Sequence, residues 1–174
     1  MIFYLMSKHH KIYNIANMNK RFDYRGPIIL GMHDAIVSLT GLIAGLGLAL
    51  QDKSIIVLSC IISSVTASLS MGAANYLAVK TTNRTHALRA ALHTGNAYML
   101  TCVLLIFPFF VFKDRVLTLC AVFLMALCII FFFNFLFYNK NQFLRHFYEM
   151  LAICSIVSFV AFVIGEIAKY YFGV

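Results

Sequence analysis

Acidic side chains are scarce: the 174 residues contain six Asp and Glu, and charged residues of either sign make up 11% of the chain. An ordinary soluble domain carries about a quarter. That scarcity excludes a soluble enzyme and a charge-rich disordered tail. The five cysteines, Cys60, Cys102, Cys120, Cys128 and Cys154, form no CxxC or zinc-like spacing and lie within apolar stretches. A disulfide-stapled secreted domain is therefore excluded, and the thiols read as small buried hydrophobes. No apolar stretch carries a nucleophile–base pair or an HExxH motif, so the chain is not expected to be an enzyme. The first 26 residues are basic and hold no apolar core of signal-peptide length before Pro27; Met18 is an alternative start to Met1.

What is abundant is apolar sequence: 62% of the residues are hydrophobic, and the 14 Lys and Arg, which give a formal net charge of +8, are pushed between long apolar runs. Such a pattern points to a lipid bilayer rather than to nucleic acid. Five runs, over residues 27–50, 54–79, 91–112, 116–138 and 148–172, reach the roughly 20 residues that a 30 Å hydrocarbon core demands. Lipid forces each to be helical. The expected fold class is all-α, a polytopic membrane protein with five transmembrane helices. Residues 1–26 are expected to form a basic cytoplasmic segment and residues 27–174 the transmembrane domain.

The basic residues set an orientation. Lys8, Lys11, Lys20, Arg21, Arg25, Lys80, Arg84, Arg89, Lys140 and Arg145 fall on one side, and Lys53, Lys113, Arg115 and Lys169 on the other. Ten against four predicts a cytoplasmic N-terminus and an outside C-terminus, in the inner (plasma) membrane of a bacterium.

Against this background Asp34 stands out, about seven residues into the first span. An aspartate at a helix centre costs roughly 2.5–3.5 kcal/mol on insertion scales, so it is expected to face protein or water and to be functional. Asp34, Ser38, Gly41 and Gly45 repeat at helical spacing, as do Ser64, Ser68, Met71 and Asn75 in the second span. With the two helices as neighbours, Asp34 lies at a depth between Met71 and Asn75. A carboxylate, an amide oxygen and a thioether suit a borderline divalent cation such as ferrous iron or manganese, and sulfur discriminates against calcium and magnesium. Ser38 and Ser68 are then expected to line the ion path. The alternative is that small residues only pack helices and the aspartate makes one internal hydrogen bond.

The stretches GMHDAIVSLTGLIAGLGLAL and ASLSMGAANYLAVKT resemble the vacuolar iron transporter family. The resemblance rests on Asp34 and on Ser70, Met71, Gly72, Tyr76, Leu77 and Lys80. It extends through HALRAALHTGNAYMLTCVLLIFPFF, with Pro108 near its end, to Gly165 in the last span. It implies a five-helix homodimer that exports ferrous iron, often with manganese, from the cytoplasm with protons as coupling ion and no permanently bound cofactor. It also implies that Asp34 and Met71 line the ion path. The chain departs from the family's pattern at Ala35, where glycine is usual, and at Asn75, often acidic. It departs again over residues 80–90, where many members insert an acidic metal-binding domain and this chain has no acid.

All six histidines, His9, His10, His33, His86, His93 and His146, fall on the side assigned to the cytoplasm. His33, His86 and His93 either replace the missing acidic collector or merely accompany the basic bias. His33, next to Asp34, is the candidate fourth metal residue or a modulator of the aspartate's protonation. Gly41 and Gly45 form a GxxxG step that permits close helix approach, with a dimer contact favoured over packing within the chain. Glu149 is expected to open the last helix, and Glu166 to pair with Lys169. A reading from a different class is a non-transporting membrane protein whose stripes serve dimer packing.

Overall fold

With no water to satisfy amides in hydrocarbon, each apolar run closes its own hydrogen bonds as a helix. The computed structural model describes residues 22–137 and 140–172. Its helices are α1 (Arg25–Ala49), α2 (Lys53–Thr82), α3 (Ala87–Ile106), the single turn α4 (Pro108–Val111), α5 (Arg115–Phe137) and α6 (Lys140–Phe172). With α3 and α4 taken together, five stretches are long and apolar enough to cross a membrane, and the described residues contain no strand. This is the expected all-α, five-span class. Lys8, Lys11, Lys20, Arg21, His9, His10 and both candidate starts lie outside the described residues.

The helix ends follow local chemistry. Asp52 Oδ1 accepts from the Ser54 amide at 2.8 Å and Asp114 Oδ1 from the Val116 amide at 2.8 Å, capping α2 and α5. Asp23 does the same for the Arg25 amide at 2.9 Å, at the start of α1. Pro108 begins α4, where its missing amide costs nothing, and so breaks the third span after Phe107. One boundary is corrected: the expected connector at 139–147 is helical from Lys140, eight residues before the expected start at 148. Nothing in KNQFLRHFYEM breaks a helix, and Arg145 Nε binds Glu149 Oε1 at 2.9 Å across one turn. Glu149 therefore lies inside α6 rather than at its start.

The center of the bundle is α1, which packs against all four other long helices, most extensively α6 and α3. Half of its apolar window is buried, against 11% for α6. Met32, Ala35, Ile36, Leu39 and Ile43 of α1 meet Cys60 of α2, Tyr98, Cys102 and Leu105 of α3, and Val122 and Ile130 of α5 in one core. Lipid tails are as apolar as these side chains, so close approach over small residues is what holds such helices together. A Cβ on Gly165 of α6 would sit 2.6 Å from the Gly45 carbonyl oxygen, and one on Gly31 would collide with the Thr94 carbonyl of α3. Only glycine permits either crossing.

At the end of the bundle that holds Lys53, two basic residues tie helix ends together. Arg115 donates through Nε, at 2.7 Å, and Nη2 to the Gly47 carbonyl in the last turn of α1, and Lys53 Nζ donates to the Phe112 carbonyl at 2.5 Å. Each cation neutralises carbonyls that a helix C-terminus leaves unpaired.

Candidate functional site

Sorting the acids isolates one. Asp23, Asp52 and Asp114 accept amides at helix starts. Glu149 pairs with Arg145 and, at 3.2 Å, with His146. Glu166 is exposed near the end of α6 and makes no ion pair with Lys169, contrary to expectation, both side chains being open to the surroundings. Asp34 is half-buried on the central helix, and its carboxylate has no hydrogen-bond or ion-pair partner among the described residues. The alternative of one internal hydrogen bond for this aspartate is therefore absent from the structure.

The Tyr98 hydroxyl and the Cys102 thiol, both on α3, lie within electrostatic reach of Asp34. Tyr98 is 2% exposed and shares a 2.7 Å hydrogen bond with Ser38, one turn beyond Asp34 on α1. Ser64 of α2 is also buried here, beside the Cys102 thiol. The polar cluster in mid-span is thus built from three helices.

Register through α3 fixes the level of α2. Thr94 packs on Gly31 and bonds the Pro27 carbonyl at 3.0 Å, while Tyr98 meets Ser38. On its other flank α3 packs Gly95 on the Ser68 carbonyl, and Ala91 on Gly72. Gly31 is therefore level with the Ser68–Gly72 stretch, and Asp34, about one turn further along α1, lies opposite the Ser64–Ser68 stretch rather than at the expected depth between Met71 and Asn75. Met71 is half-buried against the core about one turn nearer the His86 end. Asn75 sits about one turn further in the same direction. There its Nδ2 donates to Thr94 Oγ1 at 2.5 Å and to the Ala90 carbonyl at 3.4 Å, and its amide oxygen accepts no hydrogen bond among the described residues.

The histidines divide. Tyr24 shares a 2.7 Å hydrogen bond with His86 Nδ1, Phe22 stacks on the His86 ring at 5.0 Å, and the His93 ring lies 4.8 Å from that of Tyr24. His33 is instead within electrostatic reach of His146 on α6. Among the described residues no group of three His, Cys, Asp or Glu side chains is placed to hold a metal ion, so His33, His86 and His93 do not assemble as a collector.

The remaining sequence candidates separate as well. Ser38 borders a groove of about 440 Å³ between α1, α2 and α6, with Gly41, Gly45, Ser63 and Gly165. Ser68 borders a different groove of about 360 Å³ between α2 and α3. The two serines do not line one path, because the buried face of α2, through Ser64, Ser68, Gly72 and Asn75, is turned to α3. Gly41 and Gly45 pack on Val157 and Ala161 of α6. Their close approach serves packing within the chain, and both also border the groove along α1.

Sequence reasoning missed Tyr98 and Thr94. The signal was present: Thr94, Tyr98 and Thr101 recur at i, i+4 and i+7, and all three are buried. An aromatic residue in an apolar span reads as core, and only the flanking threonines mark the face as polar.

A comparison with curated proteins returned no match. The VIT family model matches residues 26–87, which comprise α1, α2 and the link to α3, and therefore Asp34, Met71 and Asn75. VIT is a transporter family, and the match points to transport of metal ions across a membrane. Five membrane-spanning helices, an isolated intramembrane carboxylate and this match together make the chain consistent with a member of the VIT family.

Proposed function

We propose that the protein exports divalent transition-metal cations, ferrous iron and/or manganese, from the cytoplasm in exchange for protons. The observation that carries this reading is the half-buried Asp34 carboxylate, held on the central helix without a hydrogen-bond or ion-pair partner among the described residues. An ionised carboxylate in a bilayer needs a compensating charge. A proton from outside and a metal cation from inside are alternative ways to supply it, and their competition for one group couples the two fluxes in opposite directions.

Met71, about one turn from Asp34 in depth, supplies a soft sulfur that favours iron or manganese over calcium and magnesium. Asn75, with its amide nitrogen engaged by α3 and its oxygen without a hydrogen bond among the described residues, offers a neutral ligand nearer the His86 end. That end is taken as cytoplasmic, in keeping with its excess of Lys and Arg. His33 sits one residue from Asp34 on the α6 side and acts on the carboxylate's surroundings or as an entry ligand. Ser38 continues the path toward the opposite face. The working unit is a homodimer in the plasma membrane of a bacterium, with the mass of the detergent complex as its check.

The test is metal uptake into proteoliposomes under an imposed pH gradient. Wild type is expected to accumulate metal and Asp34→Asn to lose all gradient-driven uptake; undiminished uptake by the variant would sink the assignment. A second reading, a non-transporting membrane protein, draws on the small-residue stripe of α1, which is engaged in helix packing against α6. Wild type that moves no divalent metal would favour it. Competition among iron, manganese, zinc and cobalt ranks the cargo.

A further inference from the structure

Three of the four basic residues assigned to the Lys53 end of the bundle converge there. Lys53 at the start of α2, Lys113 in the link after α4 and Arg115 at the start of α5 border one pocket of about 120 Å³, with Gly47 and Gln51 on its α1 side. None of its lining residues is acidic. The aspartates beside these cations in sequence, Asp52 and Asp114, direct their carboxylates to the Ser54 and Val116 amides, and neither forms an ion pair among the described residues. Lys53 and Arg115 donate to the Phe112 and Gly47 carbonyls, whose partial charges leave each cation with donors over. Lys113 has no hydrogen-bond or ion-pair partner among the described residues. Three like charges gathered without an acid raise the local positive potential, and such a concave spot attracts an anion.

The pocket continues into an apolar groove. Lys53 and Phe109 border both. From there a groove of about 390 Å³ follows α2 past Leu58 to Ile61, with Phe110 of α4 as its other wall. Between Lys53 and Ile61 the helix advances about 12 Å, so the groove descends from the helix ends into the hydrocarbon. Leu58 and Phe110 are exposed along it.

We propose that this pocket and groove together bind one anionic phospholipid, its phosphate among Lys53, Lys113 and Arg115 and an acyl chain along α2 and α4. The pocket's volume equals that of about four waters, the size of one phosphate group with its four oxygens. Arginine offers phosphate a planar fork and lysine a point charge, and both are present. The headgroup supplies the negative charge that Asp52 and Asp114 do not. A free anion would use the pocket alone, whereas a lipid also fills the groove that opens from it. The bound lipid would join the end of α1 to α2, α4 and α5, adding to the two carbonyl ties already made there. The proposal does not rest on the transport reading.

Native mass spectrometry of the purified full-length protein in detergent tests this by counting bound lipid. Phosphatidylglycerol is titrated against phosphatidylcholine with the same acyl chains, and wild type is expected to retain the first at a several-fold lower concentration. Lys53 and Arg115 also hold helix ends, so the deciding variant is Lys113→Gln, whose ammonium no described residue engages. It is expected to bind phosphatidylglycerol about fivefold more weakly, the change that one Lys or Arg supports near an anionic surface, and to melt as wild type in lipid-free detergent. Lys169→Gln removes a charge from the same end but outside the pocket, and is expected to bind as wild type. Ile61→Trp obstructs the groove without touching a cation, and is expected to weaken retention of phosphatidylglycerol. Inorganic phosphate equimolar with the lipid is expected to leave the adduct in place. Equal retention of the two lipids, wild-type affinity in Lys113→Gln, or an equal loss in Lys169→Gln overturns the site. Displacement by inorganic phosphate, or wild-type retention in Ile61→Trp, would make the ligand a free anion and overturn the lipid.

Discussion

Replacing Gly165 by alanine tests the packing that places α1. The added Cβ would lie 2.6 Å from the Gly45 oxygen and 3.2 Å from its carbonyl carbon and Cα. Taking roughly 3.3 Å as the shortest comfortable carbon–oxygen approach, α1 and α6 must part by about 0.7 Å. Both partners are helix backbone, so no rotamer change relieves the clash. A gap of that size forfeits between about a quarter and a half of each affected dispersion contact. Overpacking of this kind costs about 1–3 kcal/mol, from which alanine's better helix propensity returns up to about 1 kcal/mol. The net loss of about 1–2 kcal/mol corresponds to a melting point lower by about 2–8 °C for a chain of this size. A thiol-reactive dye that reports exposure of the fully buried Cys60 and Cys102 during a thermal melt in detergent reads it. Two controls fix the interpretation. A Cβ on Gly41 meets a side-chain methyl, Val157 Cγ1, at 3.1 Å and the Ala161 Cβ and Val157 oxygen only at 3.9 Å, and one on Gly26 meets nothing within 4 Å. Gly41→Ala and Gly26→Ala are expected to melt at or above wild type. A Gly165→Ala protein as stable as Gly26→Ala would refute the close crossing of α1 and α6.

Asn75→Ala removes the donor to Thr94 and Ala90, and its melting point is expected to fall by an amount equivalent to about 1 kcal/mol. Asn75→Asp keeps the shape but turns an acceptor on the Ala90 carbonyl. Only its protonated form can donate as asparagine does, so its stability is expected to rise as pH falls, whereas wild type shows no such gain; a pH-independent difference between the two would contradict the assigned bonds. Arg115→Lys keeps the charge and loses the two-pronged donation to Gly47, with an expected loss of under about 1 kcal/mol because the pair is half-exposed. Arg115→Lys melting well below Arg115→Ala would show that the charge, and not the geometry, is at fault.

The five spans were legible because a bilayer asks only for length and apolarity, and each run met both. Asp34 was legible for the complementary reason, as an acid within a span that neither caps a helix start nor has a basic residue one turn away, unlike Glu149 and Glu166. What sequence left open was which helix faces which. The GxxxG step states that a backbone comes close and not whose: the answer, α6, depends on Gly165, 120 positions after Gly45. Ser68 fits the same stripe as Met71, yet the tight contact of Gly95 with its carbonyl turns it to α3. Glu149 was misassigned because a hydrophobicity window ends where lipid ends, whereas the polar residues from Lys140 onward continue the helix.

The same packing explains why the proposed path runs where it does. Glycine lets α1 approach α6 at Gly165 and α3 at Thr94 to backbone contact, while α1 and α2 share a less extensive interface. The seam of α1 toward α2 is therefore looser than those toward α6 and α3, and Asp34 and the half-buried Met71 lie within about one turn of each other in depth. Beyond Ser38 that seam widens into the groove bordered by Ser63 of α2 and Gly165 of α6. Close packing on two flanks of α1 holds the carboxylate at a fixed depth, and sparse packing on the third leaves room for the cation it is proposed to carry. A substitution that tightens the third flank, such as Ser63→Leu, is expected to slow metal uptake in proteoliposomes without lowering the melting point. Uptake at the wild-type rate in that variant would place the cation's route elsewhere.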